Sequence, residues 1–254
     1  MESTRAAESF LLRILPEVRK IVLKYYDTSL EIELKKDLSP VTIADREVEN
    51  YIRDQIQQTF PDHGMIGEEG GDYLPEAQYK WIIDPIDGTK SFISHAPLFG
   101  TLIALCHNEK PVLGCIFLPA TNDVLMGNNE QTFLNGKPVQ MSQEVELKEA
   151  LLLTTDYKDF SRYKKRDGFD RLMDQCRISR TWGDCFGYYL VATGKAQIMI
   201  DPAMSVWDKM ALIPVIRGAG GAISDFYGNP PESGDSIVAC VKSLHREVIQ
   251  ILNS

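Results

Sequence analysis

The stretch WIIDPIDGTKSF, residues 81–92, joins an apolar run to two aspartates and a Gly-Thr pair. The run Trp81–Ile83 reads as a strand that delivers Asp84. Pro85 then predicts a turn, and Asp87, Gly88 and Thr89 lead into a helix start. Two carboxylates this close on a rigid segment repel one another in a partly dry site, so either one stays protonated or a divalent cation lies between them. Oxygen-only ligands suit Mg²⁺ or Mn²⁺ rather than zinc. Gly88 lets the backbone approach a ligand closely, and free N–H groups at the helix start can hold a phosphate. The Thr89 hydroxyl can orient a water. Metal-binding carboxylates beside an anion cradle are what metal-assisted phosphoryl transfer needs. Taken alone, Asp-Pro-Ile-Asp-Gly suits a plain surface turn equally well.

Outward from this stretch, residues 64–140 keep a strand-like pattern. LFGTLIAL (98–105), PVLGCIFL (111–118) and DVLMG (123–127) are separated by turn signals at HNEK (107–110) and Asn135-Gly136, which predicts an antiparallel sheet. Upstream, Phe10, Ile14, Val18, Ile21 and Tyr25 recur at helical spacing over Ser3 to Tyr26, with a kink or two abutting helices expected at Pro16. The polar stretch LKKDLSP follows, then a helix from about Ile43 to Phe60 with Thr42 as its N-cap. After residue 150 strands and helices alternate: LLLTTD, ISRTW, QIMID, AISDF and SIVAC are strands. DGFDRLMDQC, Asp184 to Thr193, Val206 to Arg217 and a last segment from Ser243 are helices. The pattern divides the chain into an α+β half, residues 1–145, and an α/β half, 146–254, folding as one compact unit.

Other acidic residues stand where they can join Asp84 and Asp87. Gly67-Glu68-Glu69-Gly70-Gly71 puts two carboxylates on a glycine-flexible loop, and Asp45 and Asp208 lie in first turns of predicted helices. Each also has an ordinary explanation, as a cap or as a favourable charge at a helix N-terminus.

Composition narrows the partners. The 254 residues hold 27 Lys and Arg against 36 Asp and Glu, a net charge of −9 without a basic stripe, which argues against nucleic acid or an anionic membrane. An anionic substrate would be repelled by this surface unless a cation bound with it. Five cysteines form no CxxC pair, and the four histidines are not at zinc-ligand spacing; reduced thiols in a cytoplasmic protein are expected. The N-terminus is too polar for a signal peptide and no apolar run approaches a membrane span.

In combination, GEEG (67–70), DPIDGT (84–89) and Trp207-Asp208 followed by a helix and AGG (219–221) resemble the inositol monophosphatase superfamily. The resemblance runs from about residue 35 to residue 226. It implies a layered αβαβα sandwich and lithium-sensitive, Mg²⁺-dependent hydrolysis of a small-molecule phosphate monoester, with direct attack of water, no phosphoenzyme and a homodimeric assembly. Residue by residue, Glu68, Asp84, Asp87, Asp208 and the Ile86 carbonyl match the metal ligands, with Mn²⁺ as a substitute ion. Gly88 and Thr89 match the phosphate cradle. Asp45 and Thr89 match the pair that handles the attacking water, Glu69 an acid tied to a further metal, and Asp201 a contact to the alcohol. The acidic set is complete, which argues against a catalytically silent binding protein.

Within the superfamily, Lys90, KSFISHAPLFGTLIAL (90–105) and TWGDCFGYYLVATGK (181–195) resemble histidinol-phosphate phosphatases. Asp184-Cys185 stands where inositol phosphatases carry small residues, and histidinol phosphate bears an ammonium and an imidazole that Asp184 and Asp201 can hold. Asp184 also suits a helix N-cap, and Cys185 a packed thiol. Inositol monophosphate and 3′-phosphoadenosine 5′-phosphate are the alternative substrates. Arg217-Gly218 and the run Ala203–Val206 depart from the family pattern beside Asp208.

Overall fold

The computed structural model describes residues 2–26, 28, 33–34, 40–141, 144–163 and 166–254. Most of the polar LKKDLSP stretch lies outside them. Two sheets set the architecture. The first has eight strands in the order Lys137–Val139, Thr132–Leu134, Asp123–Gly127, Lys110–Leu118, Gly100–His107, Tyr79–Asp87, Gly64–Gly67 and Gly71–Tyr73. It is not purely antiparallel as expected, because Gly64–Gly67 runs parallel to Tyr79–Asp87. The second has five strands in the order Ile178–Arg180, Leu151–Leu153, Ile198–Asp201, Ile237–Cys240 and Ala222–Ser224. Its first three strands run parallel; Ile237–Cys240 runs antiparallel between Ile198–Asp201 and the edge strand Ala222–Ser224, which restores the first direction.

Side-chain alternation along the central strands sorts the core into two clusters. Trp81, Ile83, Ile103 and Leu105 pack with Phe10, Ile14 and Val18 of the helix Glu2–Tyr26 and with Val48 and Ile52 of the helix Ile43–Thr59. Ile82, Leu102 and Ala104 point the other way, into a cluster with Tyr188 and Val191 of the helix Asp184–Ala192, Ile213 and Val215 of the helix Leu212–Gly218, and Ile198 and Ile200 of the second sheet. Phe160, Phe169, Val248 and Leu252, from the helices Tyr157–Tyr163, Arg166–Gln175 and His245–Asn253, complete that cluster beyond the second sheet. The layers therefore run α, β, α, β, α, and the middle helices share their core with both sheets.

Three local expectations change. The first helix runs through Pro16 as one element; the ring is on the exposed side, where water can serve the carbonyl that loses its partner. Expected as one helix, Val206 to Arg217 is instead Val206–Lys209 followed by Leu212–Gly218. Pro214 accounts for the break: it offers no N–H to the Met210 carbonyl and its ring crowds that oxygen. Nor does Pro85 turn the chain. The strand continues to Asp87 with a bulge, Asp84 pairing Leu102 and Asp87 pairing Gly100. Pro85 sits where the ladder skips, and its carbonyl accepts from the Thr101 hydroxyl at 2.8 Å.

Candidate active site

The bulge is what builds the site. Before it, odd-numbered residues face the outer helices; after it Ile86 packs with Trp81 and Ile83. The extra residue reverses the alternation, so Asp84 and Asp87 emerge on the same side of the strand. Asp208 meets them from the turn Val206–Lys209, whose N-cap Ser205 donates its N–H to the Asp208 carboxylate at 2.6 Å. One ligand oxygen from each of Asp84, Asp87 and Asp208 falls within 4.8 Å of the others, and among the described residues this is the one such group. The turn is held down by Lys209, whose buried ammonium donates to the carbonyls of Pro231, Glu232 and Gly234. Arg217 pairs with Glu232 at 2.9 Å.

Like charges crowd this group. Burial, then Glu68, Asp87, Asp208 and Asp45, push the Asp84 carboxyl well above its usual range. Asp87 is raised by burial and by Asp184 and Asp208, against which the Cys185 thiol and backbone N–H both donate to its carboxylate. Asp84 is 2% exposed and its Oδ1 has no hydrogen-bond partner. A buried, unpartnered carboxylate oxygen surrounded by other carboxylates is costly unless a cation completes it. The donor set, all oxygen, fits Mg²⁺.

A cavity of about 240 Å³ opens beside the group, lined among others by Glu68, Gly88, Thr89, Lys90, Asp156 and Asp184. Glu68 thus borders the cavity while acting on Asp84. Gly88 has φ 86° and caps the helix Thr89–Ile93 with no side-chain hydrogen bond, leaving first-turn N–H groups free for an anion. A Cβ there would fall 2.8 Å from the Leu98 carbonyl and 3.1 Å from Asp184 Oδ2. The Thr89 hydroxyl donates to the Ile86 carbonyl at 3.1 Å. Asp45 is buried and accepts from the Thr42 N–H and hydroxyl at 2.8 and 2.6 Å, closing a capping box. Burial, opposed by those two bonds and aided by Glu69 and Glu68, pushes its carboxyl up to about 6. Asp45 and Thr89, matched by resemblance to the pair that handles the attacking water, thus bond to Thr42 and to the Ile86 carbonyl respectively.

The substrate-facing residues also shift. Asp184 lies in the cavity wall at φ 50°, inside the helix rather than capping it; Gly183 is the N-cap, and no side chain bonds there. Burial and the Asp201 charge, opposed by Lys90, push Asp184 up to about 7. A non-glycine residue held at positive φ beside a cavity marks a locally imposed conformation. Asp201, expected against the alcohol, is 4% exposed and has both oxygens occupied, by the Thr155 N–H and the Tyr188 hydroxyl, each at 2.9 Å. It reaches the site through Thr155, whose hydroxyl accepts the Asp184 N–H at 2.8 Å. Cys185 is 1% exposed, with its thiol raised well above the usual range by burial. Both its backbone N–H and its thiol engage the Asp87 carboxylate. Asp156 went unnoticed in the sequence. It follows the strand Leu151–Leu153 by three residues, and the carboxyl ends of parallel strands are where such sheets bind ligands.

A model of the inositol monophosphatase family matches residues 7–254. The chain belongs to the inositol monophosphatase family. It is 35% identical over 246 residues to a histidinol-phosphatase of Chlorobaculum parvum, covering 96% of this chain and 95% of that one. A histidinol-phosphatase of Mycobacterium tuberculosis is 36% identical over 89% of both chains. Among solved structures, an inositol monophosphatase from Zymomonas mobilis superposes with a TM-score of 0.88 at 31% identity over 98% of both chains. The fold is that of inositol monophosphatases, and the chain is a metal-dependent phosphoric monoester hydrolase. No helix among the described residues is long and apolar enough to cross a membrane.

Proposed function

We propose that this family member hydrolyses L-histidinol phosphate with Mg²⁺, releasing L-histidinol and phosphate. Asp84, Asp87, Asp208, Glu68 and the Ile86 carbonyl would hold the metal, with Mn²⁺ accepted by the same oxygens. When bound, the ion supplies positive charge that offsets the phosphate's and eases attack by water. Other work falls to the chain. Gly88, Thr89 and the free N–H groups of their helix hold the phosphoryl oxygens. Asp45, its carboxyl near neutrality, is suited to take a proton from the attacking water, which the Thr89 hydroxyl orients. Glu69 extends the acidic wall toward a further cation. Reduced cysteines, all five of them free, accord with a cytoplasmic enzyme, and family resemblance with a homodimer.

The substrate choice is carried by one observation: Asp156 and Asp184 both line the cavity beside the phosphate cradle. Histidinol offers two nitrogens that can be cationic, whereas inositol offers only hydroxyls, so carboxylates here favour the former. The Zymomonas mobilis neighbour is described as an inositol monophosphatase, and inositol phosphate is the second reading. Asp184→Asn discriminates between them. Asn accepts positive φ readily, so the backbone is kept while the charge goes. Loss of a charge-assisted contact, about 1.5–3 kcal/mol, should lower kcat/KM for histidinol phosphate by roughly 10- to 150-fold. Turnover of inositol 1-phosphate should be left within a few-fold. Equal losses on both substrates would remove Asp184 from substrate selection.

A further inference from the structure

The helix Ile43–Thr59 presents Asp45, Glu49 and Arg53 at four-residue spacing, which places them on one side. Asp45 feels the charges of Glu69 and Glu68, so that side faces the loop carrying them. One turn further along, Glu49 is 1% exposed and is engaged almost entirely by the same loop. Its Oε2 accepts the Glu69 N–H and its Oε1 the Gly70 N–H, both at 2.8 Å, and Oε1 also accepts from Arg53 Nε at 2.7 Å. Arg53 in turn donates to the Gly71 carbonyl. The Glu68 N–H is already given to the Ile83 carbonyl at 3.2 Å. Three successive backbone donors are thus fixed, two of them by one buried carboxylate.

The glycines of Gly67-Glu68-Glu69-Gly70 take on a different meaning. Neither Gly67 nor Gly70 has positive φ. A Cβ on Gly67 would fall 2.1 Å from Glu49 Oε1, and one on Gly70 2.7 Å from the same atom. They are small so that the carboxylate can enter; the loop is anchored rather than flexible.

We propose that Glu49 is a positioning residue: its carboxylate, charge-balanced by Arg53, shapes the loop before any metal binds and so aims Glu68 at the metal site. This rests on the reading of Glu68 as a metal ligand. Preorganisation of a ligand by a buried outer partner typically governs metal affinity by about 10- to 100-fold. Metal-depleted Glu49→Gln, titrated with Mn²⁺ in the absence of substrate and followed by electron paramagnetic resonance, should bind about 10- to 100-fold more weakly than wild type. Its kcat should recover toward wild type at saturating metal, whereas a merely structural defect would lower kcat at every metal concentration. Glu49→Asp, which keeps the charge opposite Arg53 but is one methylene short, should show the same direction. A folded Glu49→Gln with wild-type Mn²⁺ affinity overturns the proposal.

Glu68→Gln is the companion control. Unchanged Mn²⁺ affinity in that variant would sink the ligand assignment and the proposal with it; weakened affinity there, with none in Glu49→Gln, would sink the positioning role alone. Hydrogen exchange on metal-free wild type decides the matter even where neither Glu49 variant folds. Slow exchange of the Glu69 and Gly70 amides is expected, and fast exchange that slows only after Mn²⁺ is added would contradict a preformed loop.

Discussion

Asp84→Asn and Asp87→Asn will each reduce phosphate release by at least about 10³-fold at saturating Mg²⁺, while the protein stays folded. The size follows from what the ion supplies: charge stabilisation of several kcal/mol in the transition state, at about 1.4 kcal/mol per tenfold. The retained fold follows from the electrostatics. Every charge acting on Asp84 is another carboxylate, so an amide relieves repulsion without breaking an ion pair. Metal-free Asp84→Asn should therefore melt at or above the temperature of metal-free wild type, a function-for-stability exchange common at sites built from like charges. Phosphate release and circular-dichroism melting on the same preparations check both halves. Near-normal rates in either variant would separate these carboxylates from the chemistry, and a collapse of the fold would show that they serve packing instead.

Metal-free wild type should lose stability as the pH rises, the reverse of what salt-bridged carboxylates produce. Asp45 and Asp184 are pushed from 3.8 up to about 6 and about 7. Between the unfolded and folded values the native state holds more protons than the unfolded chain, so this contribution is full below about pH 3.8 and is lost progressively as pH climbs from there to about 6 for Asp45 and about 7 for Asp184. For Asp45, a rise of about two units corresponds to roughly 3 kcal/mol. Mg²⁺ reverses the trend because it binds the ionised forms: at 100 times its dissociation constant it adds about 2.7 kcal/mol. For a protein of this size that is a rise in Tm of about 5–11 °C. The rise should be larger at pH 8 than at pH 5. A Mg²⁺ increment that is equal at the two pH values, or a metal-free Tm that climbs from pH 5 to pH 8, would show that the acidic group is neutralised by some other means.

Much of the site was legible because its donors are clustered in sequence. Asp84, Asp87, Gly88 and Thr89 lie within six residues, and the structure does gather Asp84 and Asp87 with Asp208, the group on which the metal reading depends. The central strands were readable as unbroken apolar runs rich in branched residues, since both faces of the sheet are covered. What escaped was three-dimensional satisfaction. Pro85 looks like a turn in sequence; only strand pairing shows that it fills a bulge, and the bulge is what brings Asp84 and Asp87 to one side. Asp201 looks available until Thr155 and Tyr188 are seen to occupy it. Cys185 looks like a packed thiol until its main chain and its thiol are both seen to engage Asp87. Glu49 sits in an ordinary amphipathic helix, with nothing local to say that a loop some twenty residues on would close over it. Pro214 alone was a missed local signal, a proline inside a helical pattern that breaks it.

Phosphate release by the wild-type enzyme from L-histidinol phosphate and from inositol 1-phosphate, with Mg²⁺ and again after chelation, bears most directly on the proposal. Expected are hydrolysis that vanishes on chelation and returns with Mg²⁺, and a kcat/KM for histidinol phosphate at least about tenfold higher, equivalent to about 1.4 kcal/mol of selective binding in the transition state. Metal-independent hydrolysis, or a preference for inositol 1-phosphate, would contradict it.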